Sequence, residues 1–210
     1  TLRELGLPLI IRTGDVVSNF SDLHERFGIK RLLSHEETGN AWTFERDIRV
    51  AQWSMENNVA WTQYPQFGVV RGLQRRDGWA AKWESSMVSQ IIMPPTEFAM
   101  VPELTSEPIP TGDMLGLKSD PCPNRQRGGR VEGLRVLRDF LHTRGEAYHR
   151  EMSSPNSAFD GCSRLSPYLT YGALSIREVF QATRHRAGEV RQKTRDDPGT
   201  WGPALRAFSA

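Results

Sequence analysis

The stretch CSRLSPYLTYGALSIREVF, Cys162 to Phe180, sets serines, a proline and a glycine inside what otherwise has the composition of helix. Ser166 followed by Pro167 reads as a helix start, because serine accepts from the first free amides and proline at the first helical position has no amide to leave unpaired. Gly172 allows that short helix to break. Ser175 with Glu178, three positions on, forms a second start of the capping-box type, leading into IREVFQATRHRAG and stopping near Gly188. Two helix starts so close together present unpaired N–H groups and positive dipole ends, and Ser163, Arg164 and Ser166 add hydroxyls and a cation beside the first. Two readings stand: a pair of capped helices with an arginine salt bridge, or a seat for an anion such as a phosphate.

Upstream, in RVEGLRVLRDFLHTRGEAYHR (130–150), Leu134, Leu137 and Leu141 stand at i, i+3 and i+7, with arginines 135, 138 and 144 on other faces. One stripe is then core and the rest is wet. Tyr148, near the end of this segment, is expected to lie over the rim of the core. The period is helical throughout the C-terminal part, so an all-α unit is expected from residue 128. This part is also the basic one: residues 125–210 carry a net +6 and residues 1–124 a net −4, within a whole-chain charge of +2. A basic half attracts phosphate, of nucleic acid or cofactor, or is merely a solvated face.

Seven of the 13 prolines fall between Pro94 and Pro123, where neither a helical nor an alternating period survives. Residues 91–127 therefore read as a linker across the surface, longer than connections within a compact domain. Before it, LPLIIRTGD reads as a strand closed by Gly14 and Asp15, SDLHERFGI as a short helix from Ser21, and KRLLSHEETG as a second strand. WTFERDIRVAQWSMENN reads as a helix with Phe44, Ile48, Ala51 and Met55 on one stripe, stopped by Asn57 and Asn58, before a strand in VAWTQYPQ. The order βαβαβ predicts a parallel sheet, with any ligand outside the carboxyl ends of the strands: Thr13 to Asp15, His35 to Asn40 and Gln63 to Gln66. No G-x-G-x-x-G follows a strand, so a dehydrogenase-type dinucleotide fold is excluded. The fold class expected is α/β plus all-α: a partial Rossmann-like parallel domain over residues 1–90, a linker over 91–127, and the start of a helical domain over 128–210.

A chain of 210 residues with 38% hydrophobic content can bury a core. Cys122 and Cys162 lack the paired spacing of a disulfide framework or a zinc site, so a reducing compartment, the cytoplasm, is expected, and no metal. No apolar run approaches the roughly 20 residues that cross a bilayer, and TLRELGLPLI lacks the plan of a signal peptide. The start at Thr1 and the stop within an apolar-periodic stretch suggest a piece of a longer protein.

SRLSPYLTYGALSIREV, with FLHTRGEAYHREMSSP upstream and the earlier ETGNAWTFERDIRVAQW and GVVRGLQRRDGWAAKW, resembles the photolyase/cryptochrome family of flavoproteins, and the resemblance spans nearly the whole chain. It implies an α/β domain, often holding an antenna chromophore (a folate, a deazaflavin or another), tied by a long linker to a helical domain that holds FAD. Carried over by position, it makes Tyr148 a residue on the phosphate side of the flavin. It makes Cys162, Ser163, Arg164, Leu165 and Ser166 a loop gripping the pyrophosphate and ribityl chain, with Cys162 standing where the family has threonine. The chemistry implied is light-driven repair of ultraviolet-damaged DNA, in which electron transfer from reduced FAD splits a pyrimidine dimer. UV-damaged DNA is the implied partner, with no membrane, and the protein is expected to act as a monomer. A cryptochrome-type photoreceptor and a flavin-free nucleic-acid-binding protein are the alternatives. No catalytic residue is assigned; the tryptophans, Trp42, Trp53, Trp61, Trp79, Trp83 and Trp201, are read as packing residues, and the chain alone is expected neither to hold FAD tightly nor to repair DNA. The loop from His35 to Asn40 could face an antenna chromophore or be only a polar loop.

Overall fold

In the computed structural model of the chain, which describes residues 5–93, 96, 104–193 and 199–209, contacts divide the molecule into two units: Thr1–Leu73 with Ile92–Pro123, and Gln74–Ile91 with Asn124–Ala210. The first is α/β and the second is helical.

In the first unit, Asp15 does not close a strand but opens a helix. Its carboxylate accepts from the Val17 and Ser18 amides at 3.0 and 3.1 Å, so α1 runs over Val16–Phe27 and begins well before Ser21. The left-handed Gly28 closes it, donating its N–H to the His24 carbonyl. The preceding segment, expected as a strand, joins no sheet. Its backbone finds other partners: Ile11 N–H donates to Ser106 Oγ, Thr13 N–H and Oγ1 to Glu107 Oε2, and Glu107 N–H to the Ile11 carbonyl. Once those groups are satisfied, nothing drives the segment into a ladder.

The sheet described is a parallel pair, β1 over Arg31–His35 and β2 over Ala60–Tyr64, in the register Arg31 to Ala60 through His35 to Tyr64. Between them runs α2, Ala41–Glu56, whose cap at Asn40 is reciprocal: Asn40 Oδ1 accepts from the Thr43 amide and Thr43 Oγ1 accepts from the Asn40 amide. Asn57 ends α2 and Asn58 turns left-handed, as the paired asparagines imply. The expected stripe is on the wrong side, however. Phe44, Ile48 and Met55 are exposed, while Asp47, Val50, Trp53 and Ser54 are buried. The buried side is fixed by polar partners. Trp53 donates to Ser21 Oγ at 2.9 Å and packs on Phe20 and His24 of α1. Asp47 accepts from Arg46 at 2.8 Å, from Arg71 at 3.3 Å and from Gln63 of β2 at 3.4 Å. A count of apolar residues could not register that a carboxylate with two guanidinium partners belongs inside.

The second unit begins with α3, Trp79–Val88. It continues with α4, Arg130–His142, a 3₁₀ turn over Arg144–Ala147, and the short helices α5, Tyr148–Glu151, α6, Ala158–Gly161, and α7, Ser166–Thr170. The longer α8 spans Ile176–Lys193 and α9 spans Trp201–Ser209. Its core joins Val136, Leu137, Phe140 and Leu141 of α4 to Leu165, Tyr168, Leu174, Val179, Val190 and Leu205. Leu134, expected in the core stripe, is exposed, because the buried face of α4 is turned towards Gly133, Val136 and Phe140. Gly172 is left-handed, at φ 66°, and breaks the chain between α7 and α8 as expected. Gly188 does not stop α8, which continues to Lys193. The last turn of α3 is closed by α8: Arg177 Nε donates to the Ser86 carbonyl, and Gln181 Nε2 to the carbonyls of Met87 and Ser89 at 2.9 and 2.8 Å. These take up carbonyls that the end of a helix leaves without partners.

Two glycines of this unit should respond oppositely to alanine. A Cβ on Gly145 would stand 2.5 Å from the Phe140 carbonyl oxygen, whereas one on Gly188 would meet nothing within 4 Å. Gly145→Ala should destabilise by about 2 kcal/mol and Gly188→Ala should stabilise by up to about 1 kcal/mol through helix propensity. Urea midpoints of the two variants, moving in opposite directions, check this.

Candidate functional site

The sequence between α6 and α7 makes a bend whose two sides differ chemically. Cys162 closes α6 in extended geometry, Arg164 takes a left-handed φ of 59°, and Leu165 returns to the right-handed region. A left-handed arginine is uncommon; a side chain there costs roughly 1 kcal/mol and persists only where its surroundings determine it. Here they do. Arg144 Nη1 donates to the carbonyls of Asp160 and Cys162 at 2.8 and 2.7 Å, and Nη2 to the carbonyl of Ser163 at 3.4 Å. Its Nε pairs with the Asp139 carboxylate, so the clamp is anchored on α4. Gln126 Nε2 donates to the Arg164 carbonyl at 3.0 Å, and the Arg164 guanidinium lies 3.8 Å from the centre of the Phe159 ring.

In a trans peptide the C=O of one residue and the N–H of the next point oppositely. Holding the carbonyls of Cys162, Ser163 and Arg164 against Arg144 and Gln126 therefore turns the N–H groups of Ser163, Arg164 and Leu165 to the other side. Among the described residues those three N–H groups have no hydrogen-bond partner. A left-handed residue next to a right-handed one brings successive N–H groups together into the kind of concavity that binds anions.

The two sides open into different hollows of the helical unit. Gln126, Arg127, Arg144, Phe159 and Arg164 line a polar one of about 250 Å³. Ser163, Leu165 and Ser166 line a larger, mostly apolar cavity of about 480 Å³, walled by Trp79 and Trp83 of α3, by Ile176, Val179, Phe180 and Thr183 of α8, and by Phe208 and Ser209 of α9. That volume is within the roughly 300–1,000 Å³ usual for small-molecule sites. Its aromatic wall is ordered, with Trp79 and Trp83 stacked at 6.2 Å and Phe180 edge-on to Trp83 at 5.2 Å.

Of the residues singled out from sequence, Ser163, Leu165 and Ser166 meet at the cavity. Arg164 does not, because its side chain faces the opposite hollow. Cys162 is half-buried, and its carbonyl is taken by Arg144. Both cysteines are free thiols. Tyr148 is packed edge-on against Phe140 and Phe208, 5.5 Å from each, and stands behind the cavity wall. Burial, with a smaller contribution from Cys162, raises its phenol above the usual 10.0. The start of α7 lies one residue earlier than expected. Leu165 caps it, Ser166 makes no cap and Pro167 falls within the first turn.

The start of α8 is closed rather than vacant. Ser175 Oγ accepts from the Arg177 amide and Glu178 Oε2 from the Ser175 amide, as the capping pattern implied. Glu178 also takes two hydrogen bonds from Arg130. With the Arg177 amide capped and the Glu178 carboxylate in place, this helix start repels an anion. Of the two helix starts singled out from sequence, the bend at Cys162–Ser166 keeps that character. Arg144 and α3 were missed from sequence, since arginine positions do not reveal which carbonyls they will meet and α3 lies before the proline-rich stretch.

No protein-family model matches the chain. A deoxyribodipyrimidine photo-lyase of Streptomyces griseus is 26% identical over 200 residues, covering 89% of this chain and 42% of that protein. A class III photolyase of Agrobacterium tumefaciens superposes with a TM-score of 0.65 at 17% identity, over 87% of this chain and 40% of that one. An archaeal photolyase of Sulfolobus tokodaii, crystallised with two FAD molecules, gives 0.57 at 20% identity, over 92% of this chain and 42% of its own. The fold, an α/β unit followed by a helical one, is thus that of the photolyase class of proteins. The chain spans about two fifths of the length of the relatives it matches.

The Glu178 cap makes a prediction about acid. The hydrogen bond from Arg130, and then that from the Ser175 amide, hold the Glu178 carboxyl below its usual 4.5. A carboxyl lowered by folding adds stability above its unfolded value and loses it as pH falls through the folded one. Glu178→Gln should therefore lower stability by about 1 kcal/mol at pH 7. The difference from the unsubstituted chain should close as pH falls below 4.5, read from thermal melts at a series of pH values.

Proposed function

We propose that this chain is part of a DNA photolyase, in which the bend at Cys162–Ser166 receives the diphosphate of FAD. One observation carries the reading: at the place where the sequence resembles the family's phosphate-gripping loop, the structure has a bend whose amides and serine hydroxyls are turned away from its own cations. Unpaired N–H groups of Ser163, Arg164 and Leu165 and the hydroxyls of Ser163 and Ser166 suit a diphosphate, and the apolar, aromatic-walled cavity beside them suits the rest of a flavin nucleotide. Cys162 contributes its backbone rather than a hydroxyl. When bound, reduced FAD would supply the light-driven electron that splits a pyrimidine dimer in ultraviolet-damaged DNA.

The residues of this chain then have positioning and electrostatic roles. Ser163 and Ser166 donate to phosphate oxygens, the bend supplies amide dipoles, and Arg144 and Arg164 add positive potential from behind the peptide planes. Tyr148 acts through packing, holding Phe208 in the cavity wall. Damaged DNA is the macromolecular partner, attracted by the basic character of residues 125–210. The protein acts as a cytoplasmic monomer. In this reading the antenna domain, expected over residues 1–90, keeps residues 1–73, residues 91–127 form the connection, and α3 joins residues 128–210 in the FAD domain. A second chromophore would sit at the carboxyl end of β1, where Glu37 to Ala41, Phe44 and Arg71 surround a hollow of about 410 Å³. Arg71 is held there by the Glu37 carbonyl and by Asp47. The cryptochrome alternative shares the same seat and differs in outcome rather than in geometry.

The intact polypeptide containing this chain, loaded with reduced FAD, should restore thymine-dimer oligonucleotide to undamaged DNA under blue or near-ultraviolet light and not in the dark. Flavin loading without repair would favour the photoreceptor, and DNA binding without flavin would overturn the reading. Ser163→Ala with Ser166→Ala should weaken FAD binding by roughly tenfold. The chain by itself should elute colourless from gel filtration, because a diphosphate seat and an open cavity wall bind FAD only weakly.

A further inference from the structure

We infer that Arg144 is the positioning residue of the anion seat: without touching the ligand, it decides which way the amides of the bend face. The inference rests on the flavin reading above and concerns a residue outside the loop that the sequence resemblance assigns. Arg144 follows α4 in the 3₁₀ turn over Arg144–Ala147, 18 residues before Cys162. Its guanidinium is rigid and planar, with donors fixed in a fork. One edge is held by the Asp139 carboxylate. The remaining donors reach the carbonyls of Asp160, Cys162 and Ser163. Planar peptides couple each captured carbonyl to the opposite direction of the next N–H, so fixing the carbonyls of Cys162 and Ser163 aims the amides of Ser163 and Arg164. Gln126 does the same for the amide of Leu165 through the Arg164 carbonyl.

The alternative for this loop is evident from its neighbours. Were Arg144 removed, three carbonyls would lose their donor, and a carbonyl without a partner turns towards any other donor or towards water. The left-handed φ of Arg164 would also lose part of what maintains it. Peptide planes that rotate present oxygen where nitrogen stood, and an anion then meets a repelling dipole. The effect falls chiefly on the part of a ligand that carries phosphate, since the aromatic wall of the cavity is built by α3, α8 and α9, with Leu165 and Leu169 completing the apolar lining. Lysine is a partial substitute: it keeps the charge but lacks the fork that serves several acceptors at once.

The test compares FAD with riboflavin, which lacks the diphosphate, on this chain. Amide NMR of Ser163 to Ser166 follows binding up to millimolar ligand. The unsubstituted chain should prefer FAD, and Arg144→Gln should weaken FAD by about tenfold while leaving riboflavin within about twofold. Arg144→Lys should fall between the two. A purely structural role would weaken both ligands alike and would overturn the inference, as would an FAD preference unchanged in Arg144→Gln. A chain that shows no preference for FAD even unsubstituted would overturn the flavin reading itself, a distinct outcome. Should Arg144→Gln fail to fold, Arg144→Lys decides: a reduced FAD-to-riboflavin ratio supports the assignment and an unchanged ratio rejects it.

Discussion

The contact between the Arg144 guanidinium and the carbonyls of Asp160, Cys162 and Ser163 orders the bend that forms the candidate site of the helical unit. It is tied through Asp139 to α4, the helix that supplies Val136, Leu137, Phe140 and Leu141 to the core. From there the dependence runs outwards. The bend places Leu165 in the core, 2% exposed, and Leu165 fixes where α7 begins. Tyr168 of α7 then donates its hydroxyl to the Arg127 carbonyl at 2.7 Å, and the chain turns at Gly172 towards α8. A polar interaction thereby sets the path of an apolar segment.

The α/β unit follows the same logic with the charges reversed. There a buried carboxylate, Asp47, gathers Arg46, Arg71 and Gln63, and so relates α2, β2 and the loop beyond it. Such a cluster is costly to break from one side, because the charges left behind are poorly solvated. It also explains why α2 shows Phe44 and Ile48 to the outside: the face that carries Asp47 is committed to its partners. In both units the ordering groups are arginines working on oxygen acceptors, backbone in one case and side chain in the other.

What the sequence made legible follows the range of the interactions involved. The caps of α2 and α8 and the break at Gly172 depend on residues three or four apart, and they appear where the local pattern places them. The parallel pairing of β1 and β2 also follows from the order of elements. The lost first strand depends on Ser106 and Glu107, more than 90 positions away, and no local pattern carries that information. On α4 the expected Leu137 and Leu141 are core and only Leu134 is not, whereas the stripe of α2 was misplaced; apolar counting gives no weight to Asp47 inside or to the glycine face of α4, where Gly133 admits the Tyr168 ring. At the candidate site, the serines at the cavity were legible, and the reversed orientation of Arg164 was not. A side chain in left-handed geometry leaves the backbone in an unaccustomed direction, and spacing alone cannot foresee it.

The separation of hydroxyls and amides on one side of the bend from guanidinium groups on the other has a dynamic consequence. Each cation already has its own counterpart: Asp139 for Arg144, and the Phe159 ring for Arg164. A visitor entering the cavity need sever no salt link, and its departure strands no charge. Affinity can therefore be tuned by the length of the visitor that lies along the aromatic wall, while the electrostatic framework stays as it was.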